Sequence, residues 1–305
     1  MSAKRRTSAA SKLTTLGEWL HHAENLYAKH TVALGQVATS AHDEALYLLL
    51  HTLGLPLDSK SSVLRRKLTP DQSVLVADVF RRRLEEHVPA AYLTREAWLG
   101  EHQFYVDERV IIPRSYFLEI IPEQLPQWLP SKKPVKRVVD VCTGSGCLAI
   151  LLAHQFPEAK VDAIELSPDA LAVAKFNVAT HGMTKRVKLF HSDVFAAVPW
   201  AKYDIILSNP PYVPTKELRG LPAEFKNEPK MALDGGKDGL DIISKLLQQA
   251  RDRLQPHGIV VLEVGGLRAA MDKVFPELDL HWLHTADGED CVCVIQAAKL
   301  KNWHG

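Results

Sequence analysis

Residues 138–150 read VVDVCTGSGCLAI, and this stretch constrains the fold more than any other. A short apolar run meets a glycine-rich turn, and a second apolar run begins at once. That order predicts a buried strand, a tight turn and a helix. Gly144 and Gly146 let the backbone turn sharply and let a ligand lie against it, at a helix N-terminus rich in free N–H groups. The pattern then repeats. Strands are expected at 137–141, 160–165, 187–191, 203–208, 258–264, 278–284 and 291–297, with helices at 146–155, 168–181, 238–254 and 266–274. Strands alternating with helices predict an α/β fold with a mainly parallel, doubly wound sheet. Residues 285–290 are too few for a parallel crossover, so the last two strands must pair antiparallel.

The first half of the chain has a different texture. Leu16, Trp19, Leu20, Ala23, Leu26 and Tyr27 recur at helical spacing, and Leu46, Leu49, Leu50 and Leu53 follow. Thr69-Pro70-Asp71 is a helix start, and that helix carries Val74, Leu75, Val79 and Leu84. The expected organisation is an unstructured tail over 1–12, a helical substrate-recognition domain over 13–90, a β-hairpin and linker over 91–134, and a ligand-binding catalytic domain over 135–300. The tail, basic and Ser-rich, lacks the apolar core of a signal peptide; a mitochondrial leader is the alternative reading. No apolar run is long enough to span a membrane.

Charge names no partner, because 37 basic residues face 36 acidic ones. Two basic runs, Arg65-Arg66-Lys67 and Arg81-Arg82-Arg83, are expected as solvated helix faces, with contact to ribosomal RNA as the functional alternative. The four cysteines lack the CxxC spacing of a zinc site, so no metal is expected, and they read as reduced thiols of a cytoplasmic protein.

Two motifs carry chemistry. Glu165 ends the second strand, 19 residues after Gly146, where a nucleotide-binding sheet places a carboxylate for ribose hydroxyls. A nicotinamide site would use the same arrangement. The second motif, Ser208-Asn209-Pro210-Pro211-Tyr212, follows an apolar strand directly. Two prolines make a stiff turn poor in donors. Asn209 and the Pro210 carbonyl then offer two acceptors beside the flat face of Tyr212, which suits an –NH2 group.

The run DVCTGSG, the acid Glu165, Ser192-Asp193 after the third strand and NPPY together resemble the class I S-adenosylmethionine-dependent methyltransferases that act on amino groups. Within them, Phe104-Tyr105-Val106 leading to Ile112-Pro113-Arg114-Ser115 is similar to the glutamine-amide branch. Pro-Arg-Ser, the LPL of residues 55–57 and the run LPAEFKNEPKMALDGGKDGL resemble its members that act on ribosomal protein L-three. Tyr116 and Phe117 depart from the usual Pro-Ile.

The resemblance implies a Rossmann-like fold of seven strands and methyl transfer from S-adenosylmethionine to a glutamine amide nitrogen of ribosomal protein L-three. It further implies that Asn209, Pro210, Pro211 and Tyr212 hold the substrate amide. Cys142, Thr143, Gly144, Ser145 and Gly146 would face the methionine and ribose, and Glu165 the ribose hydroxyls. Asp193 and Val194 would hold the adenine end. Asp140 would lie near the methionine ammonium or cap the loop, and Arg114 would close over the cofactor. The competing readings are a release-factor glutamine methyltransferase, an adenine-N6 nucleic-acid methyltransferase and a non-catalytic cofactor-binding assembly factor.

Overall fold

The computed structural model describes residues 13–35 and 37–303. The expected tail over 1–12 lies outside them. The chain divides into two units. One comprises residues 1–97 together with 222–227; the other comprises 98–221 together with 228–305.

The first unit is built on helices α1 (Leu16–Tyr27), α2 (Ala41–Thr52) and α3 (Pro70–Leu84), followed by the short α4 (Ala90–Thr94). Thr15 with Glu18, and Thr69 with Gln72, form reciprocal capping boxes at the starts of α1 and α3. The α1 stripe is buried as its spacing predicts, with Leu16, Trp19, Leu20, Ala23 and Tyr27 inside. Helix α3 is rotated from its expected face. Val74 and Leu75 are 68% and 55% exposed, and the buried stripe is Val76, Phe80, Arg83 and Leu84.

Arg83 corrects the expectation of a solvated basic face. Its guanidinium is fully buried, and each of its three nitrogens finds an acceptor within this unit. Nε donates to Glu44 Oε1 at 2.6 Å, Nη1 to Glu224 Oε1 at 3.0 Å and Nη2 to the Ala33 carbonyl at 2.7 Å. Tyr27 donates its hydroxyl to the same Glu44 oxygen at 2.7 Å. Arg81 is paired with Asp78 and Glu86. Only Arg65, Arg66 and Lys67 remain an exposed basic run.

The boundary between the units falls inside a two-stranded ribbon, β1 (Glu96–Leu99) and β2 (His102–Tyr105). Helix α5 (Phe117–Glu123) then leads to the main sheet. Its strands are β3 (Arg137–Val141), β4 (Lys160–Glu165), β5 (Val187–His191), β6 (Tyr203–Ser208), β7 (Leu254–Glu263), β8 (His281–Leu283) and β9 (Val292–Gln296). The seven strands lie in the order β5-β4-β3-β6-β7-β9-β8. All pairs from β5 to β7 are parallel, and β9 runs antiparallel between β7 and β8, as the short 285–290 connection requires.

The remaining helices are α6 (Cys147–Gln155), α7 (Pro168–Thr180), α8 (Asp241–Ala250), α9 (Arg268–Val274) and α10 (Ala297–Asn302). Alternate residues of each strand serve opposite faces. Val138, Val161, Ile205 and Val261 pack with α5 and α6. Val139, Ile164, Ile206 and Val260 pack with α8, Met271 of α9 and Leu300 of α10. No helix among the described residues is long and apolar enough to cross a membrane.

Candidate active site

Strands β3 and β6 are neighbours, and their ends are level: Val141 pairs with Ser208. Ser208 also donates its hydroxyl to the Val141 carbonyl at 2.5 Å. The chain leaves β3 toward β4 and leaves β6 toward β7, on opposite sides. This is the switch point at which open α/β sheets bind ligands. The glycine turn follows β3 and the Asn-Pro-Pro-Tyr turn follows β6, so the register alone places the two motifs side by side.

The glycine turn is tightly held. Cys142, Gly144 and Gly146 have positive φ values of 63°, 53° and 81°. Gly146 is the N-cap of α6, and a Cβ there would meet Ala174 of α7 at 3.3 Å. Thr143 and Ser145 are buried, and Cys142 is half-buried with its thiol pushed up by burial. The Thr143 N–H donates to the Ile164 carbonyl at 2.9 Å and its hydroxyl to Asp140 Oδ2 at 2.5 Å. Asp140 thus caps the loop. It is wholly buried, and desolvation pushes its carboxyl up to about 7. The Ala149 N–H tempers that rise without closing a well-formed hydrogen bond, so Oδ1 keeps no full partner.

Glu165 ends β4 facing this turn. Its Oε2 accepts the Gly144 N–H, and its Oε1 accepts those of Leu166 and Ser167, all at 2.9 Å. The carboxylate is half-buried and keeps one acceptor position, on Oε2, for a hydroxyl. A Cβ on Gly144 would meet only Ile111, at 3.8 Å, so the turn is open on that side. These features fit a ribose-bearing cofactor. Asp193 follows β5 and pairs with Lys245. Val194 has φ 50° and turns its side chain into the core. Arg114 is engaged bidentately by the buried Glu228, at 2.9 and 3.1 Å, instead of standing free over the turn.

Asn209 is half-buried, and its amide is oriented by a residue that sequence reasoning missed. Glu263 ends β7, the strand beside β6, where Ser208 pairs with Leu262. The next residues along, Asn209 and Glu263, meet: Nδ2 donates to Oε1 at 2.9 Å. Glu263 Oε2 accepts the Ser115 hydroxyl at 2.5 Å and the Tyr116 N–H at 3.1 Å. An NH2 group fixed in this way leaves Oδ1 as the outward acceptor, and no described donor takes it. The Pro210 carbonyl likewise has no described donor. Burial pushes the Glu263 carboxyl up to about 7, against the pull of its three donors and of Arg114. The only sequence signal for Glu263 was an acid closing an apolar strand just before Gly265-Gly266.

Tyr212 lies over Gly265, where a Cβ would come within 2.5 Å of its ring. Only glycine tolerates that approach. Burial first, and then Glu263, push its phenol up to about 12, so the ring serves as a neutral wall.

The family described as Methyltransferase small domain matches residues 122–281. The chain is 45% identical over 301 residues to the ribosomal protein uL3 glutamine methyltransferase of Burkholderia pseudomallei, with 96% of this chain and 98% of that one covered. It is 42% identical over 292 residues to the protein of the same name from Neisseria gonorrhoeae, with 96% and 97% covered. Among solved structures, the hMettl16 catalytic domain in complex with MAT2A 3'UTR hairpin 1 aligns with a TM-score of 0.50. It is 14% identical and covers 83% of this chain and 91% of that one, a likeness of fold alone. With a methyltransferase domain in its sheet unit and near full-length identity to these relatives, the chain belongs to the ribosomal protein uL3 glutamine methyltransferases.

Proposed function

We propose that this protein methylates the side-chain amide nitrogen of one glutamine of ribosomal protein uL3, and that Asn209 Oδ1 and the Pro210 carbonyl hold that amide. S-adenosylmethionine is the methyl donor and supplies an electrophilic methyl group when bound. Cys142 to Gly146 and Glu165 are the residues that would hold it, with Asp193 and Val194 toward the adenine.

An amide nitrogen is a poor nucleophile, because its lone pair is shared with the carbonyl. Two acceptors, one for each N–H, fix its orientation and enrich it in electron density. Orientation of this kind is worth roughly 7–11 kcal/mol in favourable cases. The same oxygens stabilise positive charge that builds on nitrogen during transfer. No base is needed beforehand, since the proton leaves afterwards to solvent. Glu263 acts through Asn209 as a positioning residue: it stops the amide from flipping and presenting its NH2 to the substrate. Tyr212 walls the pocket and keeps water from the acceptors.

The observation that carries this reading is the Asn209–Glu263 hydrogen bond beside the glycine turn. The substrate follows from the relatives' names, and the compartment it implies is the cytoplasm. If uL3 is met on an assembling ribosome, Arg65, Arg66 and Lys67 are the exposed side chains that would touch ribosomal RNA, and such contact would weaken with salt. The test offers purified uL3 and purified release factor separately to the full chain with S-adenosylmethionine. Peptide mapping should find one methyl on one uL3 glutamine and none on the release factor. Methylation of the release factor alone would overturn the substrate assignment.

A further inference from the structure

Three histidines converge at the other ends of the helices that shape the reaction site. His102 opens β2, His154 lies in the last turn of α6 and His181 caps the end of α7. One ring nitrogen from each lies within 4.8 Å of the others. We propose that His102, His154 and His181 bind one divalent transition-metal ion of the zinc class, which braces β2, α6 and α7 beneath the glycine turn. Among the described residues this is the only histidine, cysteine or carboxylate cluster with that geometry. No sequence spacing announces it, since each ligand comes from a different element.

The local chemistry fits a metal. His181 is pre-set in the manner of a metal ligand: its Nε2 sits 2.8 Å from the Gln103 carbonyl. A carbonyl can only accept, so Nε2 carries the hydrogen and Nδ1 holds the free lone pair. Phe104 stacks on the same ring at 4.9 Å and fixes its plane. His102 and His154 stack at 4.6 Å with their planes 21° apart, so one ring must turn before both lone pairs converge on one ion. Two histidines stand at helix C-termini, whose exposed carbonyls favour a cation.

Arg186 opposes an added cation. It is already committed to the carbonyls of Ala153, Phe156 and Pro157, and Glu101 supplies compensating negative charge. An all-imidazole set selects zinc, copper, nickel or cobalt over magnesium or calcium. Zinc at about 2.0–2.1 Å from each nitrogen needs them roughly 3.4 Å apart. Closing that gap requires the exposed His154 and the half-buried His102 to rotate out of their stacked arrangement.

The role is structural. His154 is eight residues along α6 from Gly146, or about 12 Å. Asn177 already ties the three elements near the turn. Its Oδ1 accepts the Tyr105 N–H at 2.8 Å, and its Nδ2 donates to the Tyr105 carbonyl at 3.0 Å and the Ser145 carbonyl at 2.9 Å. An ion at the histidines would fasten the same elements about one helical turn further along α7 and about two turns further along α6.

The test uses tag-free, chelator-stripped full-length protein titrated with cobalt(II). The expected result is one ion per chain, with the visible absorption of nitrogen-ligated cobalt, displaced by one equivalent of zinc. His102→Ala and His154→Ala should each weaken binding more than tenfold, while His21→Ala leaves it unchanged. Zinc should raise the melting temperature of wild-type protein and not that of His154→Ala. Wild-type affinity in the triple variant His102→Ala, His154→Ala, His181→Ala would overturn the proposal, as would the absence of any uptake.

Discussion

Replacing Glu263 with glutamine should cost turnover while leaving the fold and the cofactor site in place. The carboxylate offers two acceptor oxygens to three donors: Asn209 Nδ2 on one side, and the Ser115 hydroxyl and Tyr116 N–H on the other. A glutamine has one acceptor oxygen. If that oxygen faces Ser115 and Tyr116, its NH2 faces the NH2 of Asn209. Asn209 then flips, bonds through Oδ1 and turns two hydrogens toward the substrate amide. An acceptor has become a donor at the reacting nitrogen. The loss of one preorganised polar partner costs roughly 10²–10³ in kcat, or about 2.7–4 kcal/mol. The assay is the initial rate of methyl incorporation into uL3 at saturating S-adenosylmethionine, alongside calorimetric affinity for that cofactor. We expect kcat to fall at least about a hundredfold and cofactor affinity to stay within a few-fold. Turnover near wild type would refute the positioning role.

Asn209→Ala should likewise reduce methylation at least about a hundredfold with near-normal cofactor binding; tight coupling of the two losses would mean that the residue holds the cofactor instead. Glu165→Ala should weaken S-adenosylmethionine by roughly 1–3 kcal/mol, read by calorimetry, and equal affinity would remove it from the site. Asp140 and Glu263 both sit near 7 in the folded protein, above their ordinary 3.8 and 4.5. The folded state therefore keeps protons that the unfolded chain has released, and their contribution to stability is lost as pH rises from about 4 to 7. Activity should move the other way, because Asn209 needs an ionised Glu263. A kcat flat across that rise, set beside melts at the same pH values, would exclude the link. Arg83→Met leaves Glu44 and Glu224 buried without their counter-charge and should cost about 3–5 kcal/mol in urea unfolding; a loss below about 1 kcal/mol would show the network to be dispensable.

The parts of this protein that were legible in its sequence are those set by neighbouring residues. A strand, its turn and the next helix are contiguous over 138–150, so the glycine turn could be read directly, and the parallel sheet follows from the alternation of elements, whereas the level ends of β3 and β6 are a matter of register. Glu263 was not legible as a site residue. Its role depends on the β6–β7 register and on Ser115, 148 positions away. Helix α3 failed in phase for a related reason. Val74 and Leu75 are as apolar as Val76, and only packing against α1 and α2 decides which of them turns inward. Arg83 looked like surface because its second counter-ion lies 141 residues downstream.

That downstream position sets the order in which the molecule can be completed. Residues 222–227 belong with the helices, yet they are encoded after the Asn-Pro-Pro-Tyr turn. A nascent chain that has emerged only as far as residue 97 holds Arg83 charge-paired with Glu44 but lacks Glu224, so Nη1 goes without that acceptor until most of the sheet has been synthesised. An excised fragment of residues 1–97 would inherit the same deficit permanently, and adding back a peptide spanning 222–227 is the way to make it whole.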